Sequence, residues 1–166
     1  MDDILTHFRR LPVARFAPGE RLLEEGARPG RLYILASGQV QVSKGGVSIA
    51  RTDTPGALFG EMSVLLDLPV SATVAAVTEV EAHVSEDPAA LIASDPVVAR
   101  HAATLLAARL HAATTYIADL KAQFDGQHGA LGMVDRVLDA LIEGQPANRR
   151  LAERDRAAGA ADDPRL

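Results

Sequence analysis

Leu32-Tyr33-Ile34-Leu35-Ala36-Ser37-Gly38-Gln39-Val40-Gln41-Val42-Ser43-Lys44-Gly45-Gly46-Val47-Ser48-Ile49-Ala50 reads as successive β-strands joined by turns. Leu32 to Leu35 is a short apolar run, and Val40 and Val42 alternate with polar residues so that both share one face of a half-buried strand. Gly38 serves as a turn residue between them. Lys44-Gly45-Gly46-Val47 reads as a hairpin turn, because glycine reaches positive φ without steric cost, and Val47 to Ala50 then returns antiparallel.

The same rhythm of short β-branched runs between glycines extends from Phe16 to about His83, through Gly19, Gly26, Gly30, Gly56 and Gly60. Ala72 to Val77 and Val80 to Val84 carry further β-branched residues, with Thr78-Glu79 as a turn. Many short antiparallel strands imply a β-roll or jelly roll. After Asp87-Pro88 alanine dominates and glycine is absent until Gly126. Ser94-Asp95-Pro96 supplies an N-cap ahead of a proline in the first turn, which predicts a helix from about Asp95 to Phe124. The expected class is α+β: an antiparallel β-roll flanked by helices, with a long C-terminal dimerisation helix.

Within that helix Ala99, Ala103, Leu106, Leu110, Ala113, Ile117, Leu120 and Phe124 follow one another at alternating steps of four and three residues, which is a heptad seam. Val98, Ala102, Leu105, Ala108 and Ala112 form a second apolar set on another side. A barrel of this size covers only one side of a helix ~45 Å long at ~1.5 Å rise per residue. The seam is therefore expected to pair two copies into a homodimer; the alternative is that both stripes bury within one chain. Residues 126–144 place Met133-Val134, Val137-Leu138 and Leu141-Ile142 at helical spacing and are expected to form a short extension. Residues 145–166 have too little apolar content to pack and are expected to form a tail. The first domain is then residues 1–125.

The 166 residues are 48% hydrophobic and 23% charged, which suits one globular domain with an appended helical segment. With no cysteine, disulfides, thiolate zinc sites and cysteine nucleophiles are excluded. The acidic start Met1-Asp2-Asp3 and the lack of any apolar run near the ~20 residues of a membrane span lead to the expectation of a soluble cytoplasmic protein. A net charge of -5 argues against a nucleic-acid surface over the whole molecule. The basic cluster Asn148-Arg149-Arg150 sits beside Glu153, Asp155, Asp162 and Asp163, so direct DNA binding is not expected. His7, His83, His101, His111 and His128 show neither HxH nor i,i+4 spacing, and no metal site is expected; His101 and His111 read as helix-surface or interface residues. No Ser-His-Asp order, glycine-serine elbow or Walker loop is present, so the chain reads as non-enzymatic.

Three segments carry more specific information: Phe16-Ala17-Pro18-Gly19-Glu20-Arg21-Leu22-Leu23-Glu24-Glu25-Gly26, Arg31 to Val42, and Leu58-Phe59-Gly60-Glu61-Met62-Ser63-Val64-Leu65-Leu66-Asp67-Leu68-Pro69-Val70-Ser71-Ala72-Thr73-Val74. Together they resemble the cyclic-nucleotide-binding domain of the catabolite-activator superfamily over about residues 8 to 125. The third segment resembles that family's phosphate-binding cassette in spacing throughout. The chemistry of Gly60 to Val64 is also readable directly, because a strand that runs into a short helix leaves free N–H groups aimed at one spot.

Glu61 could accept from a sugar hydroxyl, and Ser71 with the N–H groups of Ser71 and Ala72 could donate to phosphate oxygens. Alternatively Glu61 caps the short helix and Gly60 only permits a tight turn. The resemblance implies that Glu61 holds a ribose 2′-hydroxyl and that Phe59, Gly60, Met62, Ser63, Val70, Ser71, Ala72 and Thr73 complete a cAMP or cGMP site. It also implies that Thr114 or Thr115, the latter better placed, caps the base; the alternative is that both bond helix carbonyls one turn back.

One departure stands out: nucleotide-binding members of that family have arginine where this chain has Val70. An arginine–phosphate bond is charge-assisted, at ~1.5–3 kcal/mol, so its absence costs at least about tenfold in affinity. Arg31 or Arg51 is the candidate replacement. Members that act on transcription add a helix-turn-helix domain, for which the roughly forty residues after Phe124 are too few. The expected function is a ligand-sensing module with no firm cofactor, signalling to an effector protein; the alternative is a dimerisation scaffold that kept the fold and lost the ligand.

Overall fold

The computed structural model describes residues 4–28 and 30–123. Among the described residues eight antiparallel strands form two four-stranded sheets. The first has the order β1 (Val13–Phe16), β8 (Val80–Ser85), β3 (Leu32–Ser37), β6 (Leu58–Phe59). The second has the order β2 (Arg21–Leu23), β7 (Thr73–Ala76), β4 (Val40–Lys44), β5 (Val47–Thr52). Four helices among the described residues accompany them: α1 (Leu5–Phe8), α2 (Glu61–Leu66), α3 (Pro88–Ser94) and α4 (Pro96–Gln123).

The apolar run that opens β3 has no alternation because both of its faces are covered. Tyr33 and Leu35 join Leu22, Val40, Phe59, Val74 and Val80 in the core between the sheets. Leu32 and Ile34 point the other way and join Phe8, Leu58, Val98 and Ala102, with Ile4, Leu5, Leu11, Leu91, Ile92 and Leu105 packed around them. Each such fully buried side chain contributes ~1.5–3 kcal/mol. The β4–β5 hairpin forms as its sequence predicts: Gly45 has φ +55° and Gly46 φ +79°, and Val42 pairs with Ala50.

Strands β7 and β8 follow one another closely but do not pair. The turn at Thr78-Glu79 sends them into opposite sheets, where β7 lies between β2 and β4 and β8 between β1 and β3. Asp87 caps α3 by accepting from Ala90 N at 3.1 Å, so a separate short helix precedes the long one. Asp95 caps α4 with Oδ1, accepting from Val97 N at 2.9 Å and Val98 N at 3.3 Å. Its Oδ2 accepts from His7 Nδ1 at 3.0 Å, joining α1 to the start of α4.

His101 is not the surface or interface residue that its sequence context predicts. It is half-buried, and its Nε2 donates to the Gly56 carbonyl at 2.8 Å, because the β5–β6 connection passes beneath α4 there.

The chain falls into two units that meet in sequence at Ala107 and Ala108, within α4. In the first unit Val98, Ala102 and Leu105 pack as the second apolar set requires, and Leu106 is half-buried. In the second unit Ala108, Leu110, Ala112 and Ala113 are exposed, Leu110 at 50%, while Ile117 and Leu120 are half-buried. Phe124, the extension over residues 126–144 and the tail over 145–166 lie outside the described residues. No helix among the described residues is long and apolar enough to cross a membrane.

Candidate functional site

The segment from β6 to β7 is built around two left-handed residues that bracket one short helix. Gly60 enters α2 at φ +99°, and a Cβ there would stand 2.5 Å from the Arg31 carbonyl oxygen, so only glycine fits. Asp67 leaves α2 at φ +50°, and the Asp67 and Leu68 amides both donate to Ser63 O. Glu61 and Ser63 face inward at 2% and 3% exposure, and the Ser63 hydroxyl donates to Pro69 O at 3.4 Å. Met62, Leu65 and Leu66 face outward.

Beyond the helix the chain is pinned by a two-residue bridge. Gly26 N donates to Val70 O at 2.8 Å and Val70 N donates to Ala27 O at 2.9 Å. Glu25 N donates to the Thr73 hydroxyl at 3.1 Å. The connection from β2 to β3 therefore forms the wall opposite Val70. Between them lies a cleft of about 300 Å³ lined by Leu22, Leu23, Glu24, Ala27, Arg28, Gly30, Arg31, Tyr33 and Val70. That volume is at the lower end of the ~300–1,000 Å³ typical of small-molecule sites. A larger hollow of about 530 Å³ lies at Arg15, Phe16, Ala17, Glu20, Glu79, Val80 and Glu81. Its carboxylates outnumber its one cation, and Arg15 already donates to Glu81 at 2.8 Å, so it is the poorer place for an anion.

A family model described as the cyclic nucleotide-binding domain matches residues 13–86, which span both walls of the smaller cleft. The crystal structure of the Thermus thermophilus catabolite activator protein superposes with a TM-score of 0.57 at 30% identity, covering 86% of this chain and 85% of that one. The chain belongs to the cyclic nucleotide-binding domain family. The cyclic AMP receptor protein of Thermus thermophilus is 37% identical over 119 residues, 68% of this chain and 54% of that protein. The cAMP-dependent protein kinase regulatory subunit of Debaryomyces hansenii is 39% identical over 62 residues, 37% of this chain and 14% of that protein. The chain thus spans about half or less of the length of these two relatives.

Set against this cyclic nucleotide-binding domain, the residues singled out from sequence separate into groups. Phe59 is in the inter-sheet core, and Gly60, Glu61, Met62 and Ser63 form the start of α2. Ser71, Ala72 and Thr73 are half-buried on the approach to β7. Val70, at 5% exposure, is the one that lines the cleft. Thr115 lies in the second unit and is exposed, while its neighbour Thr114 donates to the carbonyls of Leu110 and His111, each at 2.9 Å.

Of the two candidate replacement cations, Arg51 donates to Gln41 at 2.9 Å across β4 and β5 and does not line the cleft. Arg31 does line it, with its Nε donating to Glu86 at 3.0 Å. Glu86, and then Tyr33, hold the Arg31 guanidinium in its charged form by raising its pKa further. Arg28 and Tyr33 were not singled out from sequence. The signal that could have found Arg28 is its place in Gly26-Ala27-Arg28-Pro29-Gly30, a glycine-bounded turn opposite the cassette. Among the described residues no group of three or more histidine, cysteine, aspartate or glutamate side chains could hold a metal ion.

Proposed function

We propose that this chain is a non-enzymatic, ligand-sensing regulatory module that binds cAMP, cGMP or a related anionic ligand in the cleft beside Val70. The observation that carries this reading is the backbone bridge between Val70 and Gly26-Ala27, which sets the cassette and the β2–β3 connection face to face across about 300 Å³. The named relatives, a cyclic AMP receptor protein and a cAMP-dependent kinase regulatory subunit, lend it support. Gly60, Glu61, Ser71 and Ala72 serve the sugar and phosphate. Occupancy is relayed to α4, whose Val98, Ala102 and Leu105 pack on the β-roll, and α4 pairs two copies through Leu106, Leu110, Ala113, Ile117, Leu120 and Phe124. An effector protein in the cytoplasm reads the change.

A second reading, a dimerisation scaffold that has lost its ligand, is favoured by the buried, apolar Val70. Thermal unfolding with and without cAMP and cGMP separates the two. A ligand present at a hundred times Kd adds ~2.7 kcal/mol, which raises Tm by several degrees. An unchanged Tm with both nucleotides at millimolar concentration overturns the nucleotide reading and leaves a different anionic ligand or the scaffold.

A further inference from the structure

The charge missing at position 70 is present on the opposite wall of the cleft. Arg28 follows Ala27, whose carbonyl accepts from Val70 N at 2.9 Å, so the backbone bridge sets Arg28 next to Val70. Arg31 is tied to the other end of the cassette, because its carbonyl oxygen fills the space beside Gly60. Arg28 and Arg31 both line the cleft, together with Tyr33. Arg28 has no ion-pair partner among the described residues, and Glu24, the one carboxylate in the lining, is engaged by Arg21 at 2.6 Å. Arg31 is engaged by Tyr33 and by an exposed pair with Glu86, and such exposed pairs are weak and readily exchanged.

We propose that Arg28 and Arg31 are the phosphate-binding groups of this cleft, in place of an arginine at position 70, and that Arg31 exchanges Glu86 for the bound phosphate. Glu86 directly precedes Asp87, the cap of α3, so the exchange gives anion binding a direct effect at the start of that helix. This rests on the cyclic-nucleotide reading and assigns its charged contacts. A planar guanidinium suits two phosphate oxygens at once, which makes the exchange favourable over a single bond to Glu86.

The test is isothermal titration calorimetry of the full chain with cAMP, cGMP, adenosine and guanosine. The variants are Arg28→Gln, Arg31→Gln, Glu86→Gln and, as a control outside the cleft, Arg51→Gln; all four positions are exposed, and an unchanged melting temperature confirms folding. The expected results are about tenfold weaker cyclic-nucleotide binding for each of the first two variants, tighter binding for Glu86→Gln and no change for Arg51→Gln. The nucleosides, which lack the phosphate, bind at least about tenfold more weakly than their cyclic phosphates. Cyclic nucleotide bound equally well by wild type and by Arg28→Gln and Arg31→Gln overturns the charge assignment while the functional reading stands. Unaltered affinity in Glu86→Gln overturns the exchange. No binding of either cyclic nucleotide to wild type overturns the cyclic-nucleotide reading and this assignment together.

Discussion

His7 Nδ1 on α1 donates to Asp95 Oδ2 at 3.0 Å while Asp95 Oδ1 accepts two amides of the first turn of α4, so a single carboxylate both starts the long helix and fastens α1 to it. Hydrogen bonding to His7, followed by the Val97 and Val98 amides, holds the Asp95 carboxyl below its usual pKa. A depressed carboxylate pKa contributes stability that is present above the unfolded value of about 3.9 and is lost as pH falls through the lower folded value. Asp95→Ala should therefore lower Tm at neutral pH, and Asp95→Asn, which keeps an acceptor for the amides, should lower it less. The gap between wild type and either variant should narrow in melts taken at progressively lower pH through and below that range; a gap that persists unchanged contradicts the assignment.

Gly60→Ala should destabilise the chain by about 1–3 kcal/mol, since the added Cβ meets the Arg31 carbonyl and the backbone sits at φ +99°. Urea denaturation checks this. A loss no greater than that of Gly45→Ala, where nothing lies within 4 Å of the new Cβ, would show that the close approach is unimportant.

Ile34→Ala should cost about 2–5 kcal/mol, because Ile34 is fully buried against the helices on the outer face of its sheet. Ile49→Ala, at 60% exposure on the edge strand β5, should fall within about 0.5 kcal/mol of wild type. Equilibrium unfolding of both variants makes the comparison.

On the proposed pairing, Leu110→Lys combined with Ile117→Lys should convert the dimer into a monomer without loss of the β-roll, as both residues lie on the heptad seam and Leu110 is half-exposed within one chain. Sedimentation equilibrium reads the mass, and far-ultraviolet circular dichroism reads the fold. An unchanged mass for the double variant would show that the seam is on another face.

Val70→Arg should strengthen cyclic-nucleotide binding by about tenfold, since the side chain at position 70 lines the cleft and an arginine there adds a charge-assisted bond to phosphate. Calorimetry against wild type measures it, and equal affinity would place the ligand elsewhere.

Much of the β-roll was legible because its signals are local. The paired glycines at 45 and 46 specify the β4–β5 turn, and the unbroken apolar run at Leu32 reflects burial on both faces of β3. The separate helix α3 was absorbed into an alanine-rich stretch because its boundary rests on one capping side chain, Asp87. The parting of β7 and β8 into opposite sheets was not legible either, since strand partners are set by long-range pairing.

The site was half legible. The cassette residues Gly60 to Ser63 and Val70 to Thr73 are contiguous enough to be seen in the sequence. The facing wall at Arg28, Gly30 and Arg31 comes from an aperiodic turn that reaches the cassette only through the Gly26 and Ala27 backbone bonds to Val70. His101 was misread because a histidine on a helix gives no sign that a distant carbonyl, that of Gly56, is its partner.

The most direct test of the central claim is a titration of the ¹⁵N-labelled chain with cAMP and cGMP, followed by amide chemical shifts. Saturable shifts concentrated at Gly60 to Ser63, Val70 to Thr73 and Ala27 to Tyr33 are predicted for at least one nucleotide. Amides that stay fixed with both, or shifts confined to the hollow at Arg15 to Glu20 and Glu79 to Glu81, would contradict a cyclic-nucleotide site beside Val70.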